Sequence, residues 1–146
     1  MSVREEISGK RVAAVDYGKK RVGLAVSDEM HITSSPRKTL IADDENFWSD
    51  LLEFLQFERI GVVVVGVPYR LDDKNKEWIL EIKNFIKELT EKSGLPVYEY
   101  DESYSSKRAV STMVEIGKKK KKRAQKGNTD MIAAAIILRD FLKENE

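Results

Sequence analysis

Three short runs in the first third of the chain predict β-strands. The first two, residues 12–15 and a run that resumes at Val22, flank a charged turn and outline a β-hairpin. The third, residues 31–40, is rich in Ser and Thr and is interrupted by Pro36. Because proline cannot donate to a strand ladder, we expect this third strand to lie at the edge of a sheet or to break at its middle.

Helical and strand patterns alternate in the middle of the chain. Apolar positions at helical spacing predict amphipathic helices over residues 47–55, with Asp43 and Asp44 as cap candidates, and over residues 75–92. A strand follows each helix, at residues 60–65 and 97–100. The β-branched run at 60–65 is typical of a central parallel strand that is covered on both faces.

The last third of the chain predicts two helices around a basic run. A short helix is expected over residues 105–116, with Gly117 as its C-terminal stop. Residues 127–129 are cap candidates for a final helix over about 130–143. That helix is apolar on every side from 131 to 138, so we expect it to pack against the sheet.

The order of these elements predicts a single α/β domain over residues 1–146. Three hairpin-linked strands, followed by two strands reached through helical crossovers, give a mixed five-stranded sheet. Right-handed crossovers then place helices on both faces of the sheet.

Composition narrows the class of protein. A chain of 146 residues is long enough to bury one sizeable core. It contains no cysteine, which excludes disulfides and thiolate zinc sites. No apolar stretch is long enough to span a bilayer, and the N-terminus lacks the apolar segment of a signal peptide, so we expect a cytoplasmic protein without membrane contact.

The charge distribution is uneven although the net charge is only +1. Residues 118–126 hold six lysines and one arginine, which leaves 19 basic against 25 acidic residues elsewhere. A concentrated basic segment in an otherwise acidic chain favours local contact with a polyanion. We expect residues 117–127 to form a mobile basic loop that becomes ordered on RNA or DNA.

Acidic residues stand at the ends of three separate elements. Asp16 ends the first predicted strand, Asp101 and Glu102 follow the last strand, and Asp130 opens the final helix. Parallel strands end at one edge of a sheet, where ligands of open α/β sheets bind. Three converging carboxylates would raise one another's pKa unless a divalent cation neutralised them. Taken singly, each acid also has an ordinary explanation, such as a strand end or, for Asp130, a helix-dipole contact worth about 0.3–1 kcal/mol.

Oxygen ligands predict the kind of metal. With no cysteine and one histidine, the expected ion is Mg²⁺ or Mn²⁺. Two such ions about 4 Å apart would activate a water and stabilise the leaving oxygen of a phosphodiester. Three cations in the hairpin turn, Lys19, Lys20 and Arg21, could face the phosphate.

Four sequence blocks resemble one family. Residues 12–28, VAAVDYGKKRVGLAVSD, resemble the opening motif of the YqgF/RuvX family of bacterial proteins. Residues 64–68 (VVGVP) and 101–106 (DESYSS) are similar to its VVGLP and DER[LF][ST]T motifs. Residues 122–138 resemble its basic loop followed by D-x-x-A-A and an apolar helix. The four blocks occur in the family's order and cover most of the chain.

This resemblance implies a ribonuclease H-like fold with strand order 3-2-1-4-5, in which strand 2 is antiparallel. It implies metal-dependent cleavage of a nucleic-acid phosphodiester, with Asp16, Glu102 and Asp130 in the places of the family's acidic triad. Strand alternation puts the side chains of Asp101 and Glu102 on opposite faces, and the sequence does not specify which of them faces Asp16. Asp101 could therefore replace Glu102 in the triad.

Some positions depart from the family pattern. Ser103 stands where the family has arginine, Tyr104 where leucine or phenylalanine is usual, and Arg70 where asparagine is common. The missing arginine removes a bidentate phosphate contact, for which Arg70, Lys107 or Arg108 could compensate. The expected nucleic-acid contacts are Lys19, Lys20, Arg21, Arg70, Lys107, Arg108, Lys120, Lys121, Lys122 and Arg123.

Three functions compete at this stage. The resemblance implies a ribonuclease that matures the 5′ end of the 16S ribosomal RNA precursor. A Holliday junction resolvase has the same chemistry but needs a two-fold dimer, and nothing in the sequence specifies more than a monomer or weak homodimer. The third hypothesis is an RNA-binding or transcription factor whose acidic site is vestigial.

Overall fold

The computed structural model describes residues 1–69, 76–102 and 126–146. The predicted helix over 105–116 lies outside the described residues, as does the predicted basic loop up to residue 125. Residues 126 and 127, which were expected to end that loop, belong to the last helix.

One mixed sheet forms the centre of the molecule. Its strands are β1 (Arg11–Tyr17), β2 (Arg21–Ser27), β3 (Ser34–Ile41), β4 (Ile60–Val67) and β5 (Val97–Asp101). They lie in the order β3-β2-β1-β4-β5. Strand β2 is antiparallel to both neighbours, whereas β1, β4 and β5 run parallel. The predicted strand order is confirmed, and Pro36 lies in the edge strand β3.

Helices cover both faces of the sheet. The described helices are α1 (Val3–Ile7), α2 (Phe47–Phe57), α3 (Lys76–Ser93) and α4 (Lys126–Glu144). The sequence pattern did not predict α1, which has five residues and buries only Ile7. A hydrogen bond from the Glu5 N–H to Ser2 Oγ, 3.1 Å long, caps this short helix.

The start of α2 differs from the prediction. Asn46, not Asp43 or Asp44, is the N-cap residue, and its side chain makes no capping hydrogen bond. Asp44 instead accepts a 2.7 Å hydrogen bond from the Asn46 N–H through Oδ1. Its carboxylate therefore stabilises the turn before the helix, which is a common use of aspartate.

Helix α4 begins four residues before the predicted start at residue 130. The prediction that residues 127–129 cap the helix is wrong, because all three lie inside it. Asp130 is accordingly not in the first turn. Gly127 and Asn128 have low helix propensity and suggested a break, but tertiary packing overrides so weak a preference.

Side-chain alternation divides the core between two faces. Ala13 and Val15 of β1 pack with α2 and α3, whereas Val12 and Ala14 face α4. In β4 all four valines from 62 to 65 are fully buried, as expected for a parallel strand covered on both sides. The same alternation puts Asp16, at the end of β1, on the α4 face.

Candidate active site

Asp16 lies in the central strand and is flanked by glycine on both neighbouring strands. In the antiparallel pair it lies opposite Gly23 of β2. On the other side, Gly66 of β4 follows the parallel pair Val15 and Val65 by one residue. The side chain of Asp16 is therefore bordered by two positions that carry no side chain.

These two glycines make room for other parts of the site. A Cβ atom on Gly23 would lie 2.1 Å from the backbone oxygen of Asp130. A Cβ atom on Gly66 would lie 2.2 Å from Glu102 Oε1 and 2.7 Å from Ile137 Cδ1. Helix α4 and the Glu102 carboxyl thus approach the sheet on either side of Asp16. Any residue other than glycine at positions 23 and 66 would prevent so close an approach.

The structure distinguishes Glu102 from Asp101. Tyr100 packs in the core on the α4 face, so alternation directs Asp101 towards the opposite face. Glu102 follows the last residue of β5, and its carboxyl lies against Gly66 on the Asp16 side of the sheet. Of the two acids that the sequence left open, Glu102 is the one beside Asp16.

Burial and mutual repulsion raise the pKa values of two of these acids. Burial raises the pKa of Asp16 to about 6, and the negative charge of Asp130 adds to this shift. Burial also raises the pKa of Glu102 to about 7, with further contributions from Asp16 and Asp101. Asp16 therefore interacts electrostatically with both Glu102 and Asp130, which makes the three acids one cluster at the carboxyl ends of the parallel strands.

Asp130 has a cationic partner. Arg21 Nε donates a 2.8 Å hydrogen bond to Asp130 Oδ2, and the two side chains are only 32% and 23% exposed. The sequence placed Arg21 among the candidates for phosphate contact, and it did not suggest this pair, whose members are 109 residues apart.

The other candidate cations are either in the hairpin turn or outside the described residues. Lys19 and Lys20 are exposed in that turn, and Lys19 Nζ lies 5.4 Å from the centre of the Trp78 ring. Outside the described residues lie Arg70, Ser103, Tyr104, Lys107, Arg108, Lys120, Lys121, Lys122 and Arg123.

A family model described as "RuvX: Holliday junction resolvase" matches residues 10–144. The chain belongs to the RuvX family. Among its relatives, a protein of Amoebophilus asiaticus, provisionally named pre-16S rRNA nuclease, is 41% identical over 134 residues, covering 90% of this chain and 93% of that protein. A protein of Christiangramia forsetii with the same provisional name is 38% identical over 135 residues, covering 92% and 98%.

Solved structures share the fold of this RuvX chain. The structure of T. thermophilus RuvC in complex with a Holliday junction substrate superposes with a TM-score of 0.56 at 19% identity, covering 92% of this chain and 94% of that chain. A second Thermus thermophilus RuvC structure gives a TM-score of 0.52, also at 19% identity, covering 92% of this chain and 95% of that chain. The RuvX chain has a ribonuclease H-like fold.

The donor set of the RuvX site suits a hard divalent cation. Its ligand atoms are carboxylate oxygens, which hard divalent cations prefer. The carboxyl groups of Asp16 and Glu102 have raised pKa values, so a nearby positive charge would offset the cost of their burial and the repulsion between their charges. Within the ranges that the structure describes, no three acidic, histidine or cysteine side chains are already arranged to hold a metal ion. The Asp130 carboxylate is instead bound to Arg21.

Gly23 and Gly66 were missed as site residues by the sequence reasoning. The predicted strand over residues 60–65 stopped before Gly66, but β4 continues to Val67. Glycine inside a strand pattern was the available signal, since it often marks a close approach of another backbone or group. In the described part of this RuvX chain, no helix has the length and apolar character needed to cross a membrane.

Proposed function

We propose that this chain is a nuclease that hydrolyses phosphodiester bonds in the 16S ribosomal RNA precursor and acts in maturation of its 5′ end. The observation that carries the proposal is the acidic cluster, in which Asp16 is coupled electrostatically to both Glu102 and Asp130. The provisional names of the relatives support the choice of substrate. A cytoplasmic location follows from this substrate.

We infer that Asp16, Glu102 and Asp130 hold Mg²⁺ or Mn²⁺, with two ions expected. When bound, such ions supply activation of water and stabilisation of the charge on the scissile phosphate and the leaving oxygen. The protein contributes position: Asp16 is held by the central strand, Glu102 by the end of β5 and Asp130 by α4. No cysteine is present, and the reaction needs no covalent protein nucleophile.

The nucleic acid would be held by cations that lie close to the acids along the chain. Lys19 and Lys20 lie in the turn that directly follows β1 and its Asp16. The basic run that includes Lys120, Lys121, Lys122 and Arg123 precedes α4 in the chain and supplies positive charge close in sequence to Asp130. Phosphate contacts of this type provide affinity without reading the base sequence.

The test is a cleavage panel. Purified protein is incubated with single-stranded RNA, precursor ribosomal RNA and a four-way DNA junction, each with Mn²⁺ and with chelator. We expect cleavage of precursor RNA that needs Mn²⁺ and is lost in Asp16→Asn. Glu53→Gln is the matched control, because Glu53 is an exposed acid in the middle of α2. If no substrate is cut under any condition, the chain is an RNA-binding protein with a vestigial site and the proposal fails.

A second candidate function is resolution of Holliday junctions, which the description of the matching family model favours. Symmetric cleavage of two strands requires a two-fold dimer with two active sites. The same panel separates the two functions: paired, symmetric nicks in the four-way junction, together with a dimeric mass in solution, would favour the resolvase.

A further inference from the structure

Arg21 lies where it can control the availability of Asp130. It is the first residue of β2, two positions before Gly23, so its side chain leaves the sheet on the same face as Gly23 and Asp16. Its Nε atom donates to Asp130 Oδ2 at 2.8 Å. The pair joins the strand beside Asp16 to the helix that carries Asp130.

The backbone on both sides holds this ion pair in place. The Gly18 N–H donates a 3.0 Å hydrogen bond to the Arg21 carbonyl, which closes the hairpin turn. On the other side, the Asp130 backbone lies so close to Gly23 that a Cβ atom there would be 2.1 Å from its oxygen. The two partners are therefore positioned by rigid elements, and their contact is more specific than a chance meeting of two long surface side chains.

An arginine and a divalent cation would compete for the same carboxylate. A guanidinium that donates to Asp130 offsets part of its negative charge and occupies a lone pair that a metal ion would need. Arginine also binds phosphate groups with two parallel hydrogen bonds, so it has a second suitable partner once nucleic acid arrives. The Arg21 side chain can thus bind the Asp130 carboxylate in the free protein and a phosphate group in the complex.

We propose that Arg21 is a positioning residue that occupies Asp130 in the metal-free protein and transfers to a phosphate of the nucleic acid when a divalent cation binds. Cation and nucleic acid then bind cooperatively, because each favours the release of the Arg21–Asp130 pair. By linkage, the factor by which nucleic acid tightens cation binding equals the factor by which the cation tightens nucleic-acid binding. This inference rests on the proposed function in one respect, the use of Asp130 as a metal ligand.

The experiment measures Mn²⁺ binding by calorimetry, with and without a cleavage-resistant phosphorothioate RNA oligonucleotide. For the wild-type protein we expect the oligonucleotide to tighten Mn²⁺ binding about tenfold, within the usual range of coupling between two sites. Arg21→Gln should bind Mn²⁺ about tenfold more tightly than wild type without the oligonucleotide. Adding the oligonucleotide should tighten Mn²⁺ binding to Arg21→Gln by less than about twofold.

Two further variants separate position from charge. Arg21→Lys keeps the positive charge and should restore part of the coupling, about threefold. Arg37→Gln removes an arginine whose Nε lies 3.2 Å from Glu58, an ion pair on the edge strand β3, and should behave as wild type. Circular dichroism establishes whether each variant is folded. If Arg21→Gln does not fold, the comparison of Arg21→Lys with wild type tests the proposal.

The outcomes distinguish this inference from the proposed function. If Arg21→Gln binds Mn²⁺ with wild-type or weaker affinity, or keeps the full effect of the oligonucleotide, Arg21 is only an anchor between β2 and α4. Asp16→Asn should abolish Mn²⁺ binding. If it does not, or if no form of the protein binds Mn²⁺, the proposed metal site is wrong and the inference fails with it.

Discussion

At the scale of single residues, the site depends on charged groups placed where they are poorly solvated. The pKa of Asp16 is raised above its ordinary value, so the folded protein binds a proton at this carboxyl more tightly than the unfolded chain does. Between about pH 4 and pH 6 the native state therefore holds more protons than the unfolded state. By linkage, this residue lowers the free energy of unfolding as the pH rises through that window.

Asp16→Asn is therefore expected to stabilise the protein at high pH. In chelator at pH 8 the free energy of unfolding should rise by about 1–3 kcal/mol, because a shift of one pKa unit corresponds to about 1.4 kcal/mol. The gain should shrink towards zero near pH 4, where the carboxyl is protonated in both states. Urea unfolding of wild type and variant at pH 4.5, 6 and 8 measures this trend. A variant less stable than wild type at pH 8 would contradict the raised pKa.

Gly23 and Gly66 should respond differently to the same added methyl group. Gly23→Ala meets backbone atoms of Asp130, which cannot move without displacing α4, so we expect a loss of about 2–3 kcal/mol in unfolding free energy. Gly66→Ala meets mainly the Glu102 carboxyl, which can rotate away. It should cost about 1 kcal/mol or less in stability but lower cleavage activity at least tenfold.

Gly61→Ala is the control for both substitutions. Its Cβ atom would meet the flexible side chain of Lys10 at 3.1 Å, so we expect little change in either stability or activity. Stability is measured by chemical unfolding. Equal losses in all three variants would show that replacing any strand glycine destabilises the protein, and that the close contacts of Gly23 and Gly66 have no special effect.

At the scale of secondary structure elements, an aromatic cluster ties the end of β1 to α2 and α3. The Tyr17 ring stacks on Phe85 with 4.1 Å between centroids and on Trp78 at 5.6 Å. Trp48 stacks on the same Phe85 at 5.4 Å. Tyr17 directly follows Asp16, so this cluster supports the strand end from the face opposite to the acids.

Phe85→Leu is expected to lower the free energy of unfolding by about 1–3 kcal/mol, since it leaves a cavity between the Tyr17 and Trp48 rings that stack on Phe85. Both tryptophans of the chain, Trp48 and Trp78, are in this cluster, so their fluorescence and near-ultraviolet circular dichroism should change as well. Phe57→Leu is the control: this ring is 84% exposed, and its loss should change stability by less than about 0.5 kcal/mol. Unchanged spectra in Phe85→Leu would contradict the stacked arrangement.

At the scale of the whole molecule, the charges are separated along the chain. The basic run at 118–126 stands against an excess of acidic residues elsewhere, so nucleic-acid affinity should depend on this run. If about five of its charges meet phosphates, the slope of log affinity against log salt concentration should be roughly −3.5 to −4.5.

Replacing Lys120, Lys121 and Lys122 by Ser should make this slope shallower by about 2, since each phosphate contact contributes about 0.7 on single-stranded RNA. The charge-matched control replaces Lys38, Lys87 and Lys143, which are exposed on other parts of the surface. Fluorescence anisotropy at several salt concentrations gives both slopes. Equal changes in the two triple variants would mean that net charge, and no particular segment, governs binding.

Much of the architecture could be read from local patterns. The β-branched run of β4, the hairpin of β1 and β2, and the amphipathic α3 each have a periodicity that requires no knowledge of distant partners. The end of α4 near the acids could not be read in this way. Gly127 and Asn128 locally favour a break, yet both lie within α4, whose backbone at Asp130 packs against Gly23.

The sequence by itself determined the succession of strands and helices and the three places from which the acids come, because hydrophobic periodicity and crossover handedness are local or nearly local rules. The strand order came from the resemblance to the family, and the structure confirms it. Only the tertiary structure decided that Glu102 and not Asp101 lies beside Asp16, since that choice depends on where β5 stops in register with β4. It also decided that Arg21 pairs with Asp130. Arg21 and Asp130 are 109 residues apart in the chain, so their contact depends on how α4 packs over the sheet. No local sequence pattern predicts such a contact.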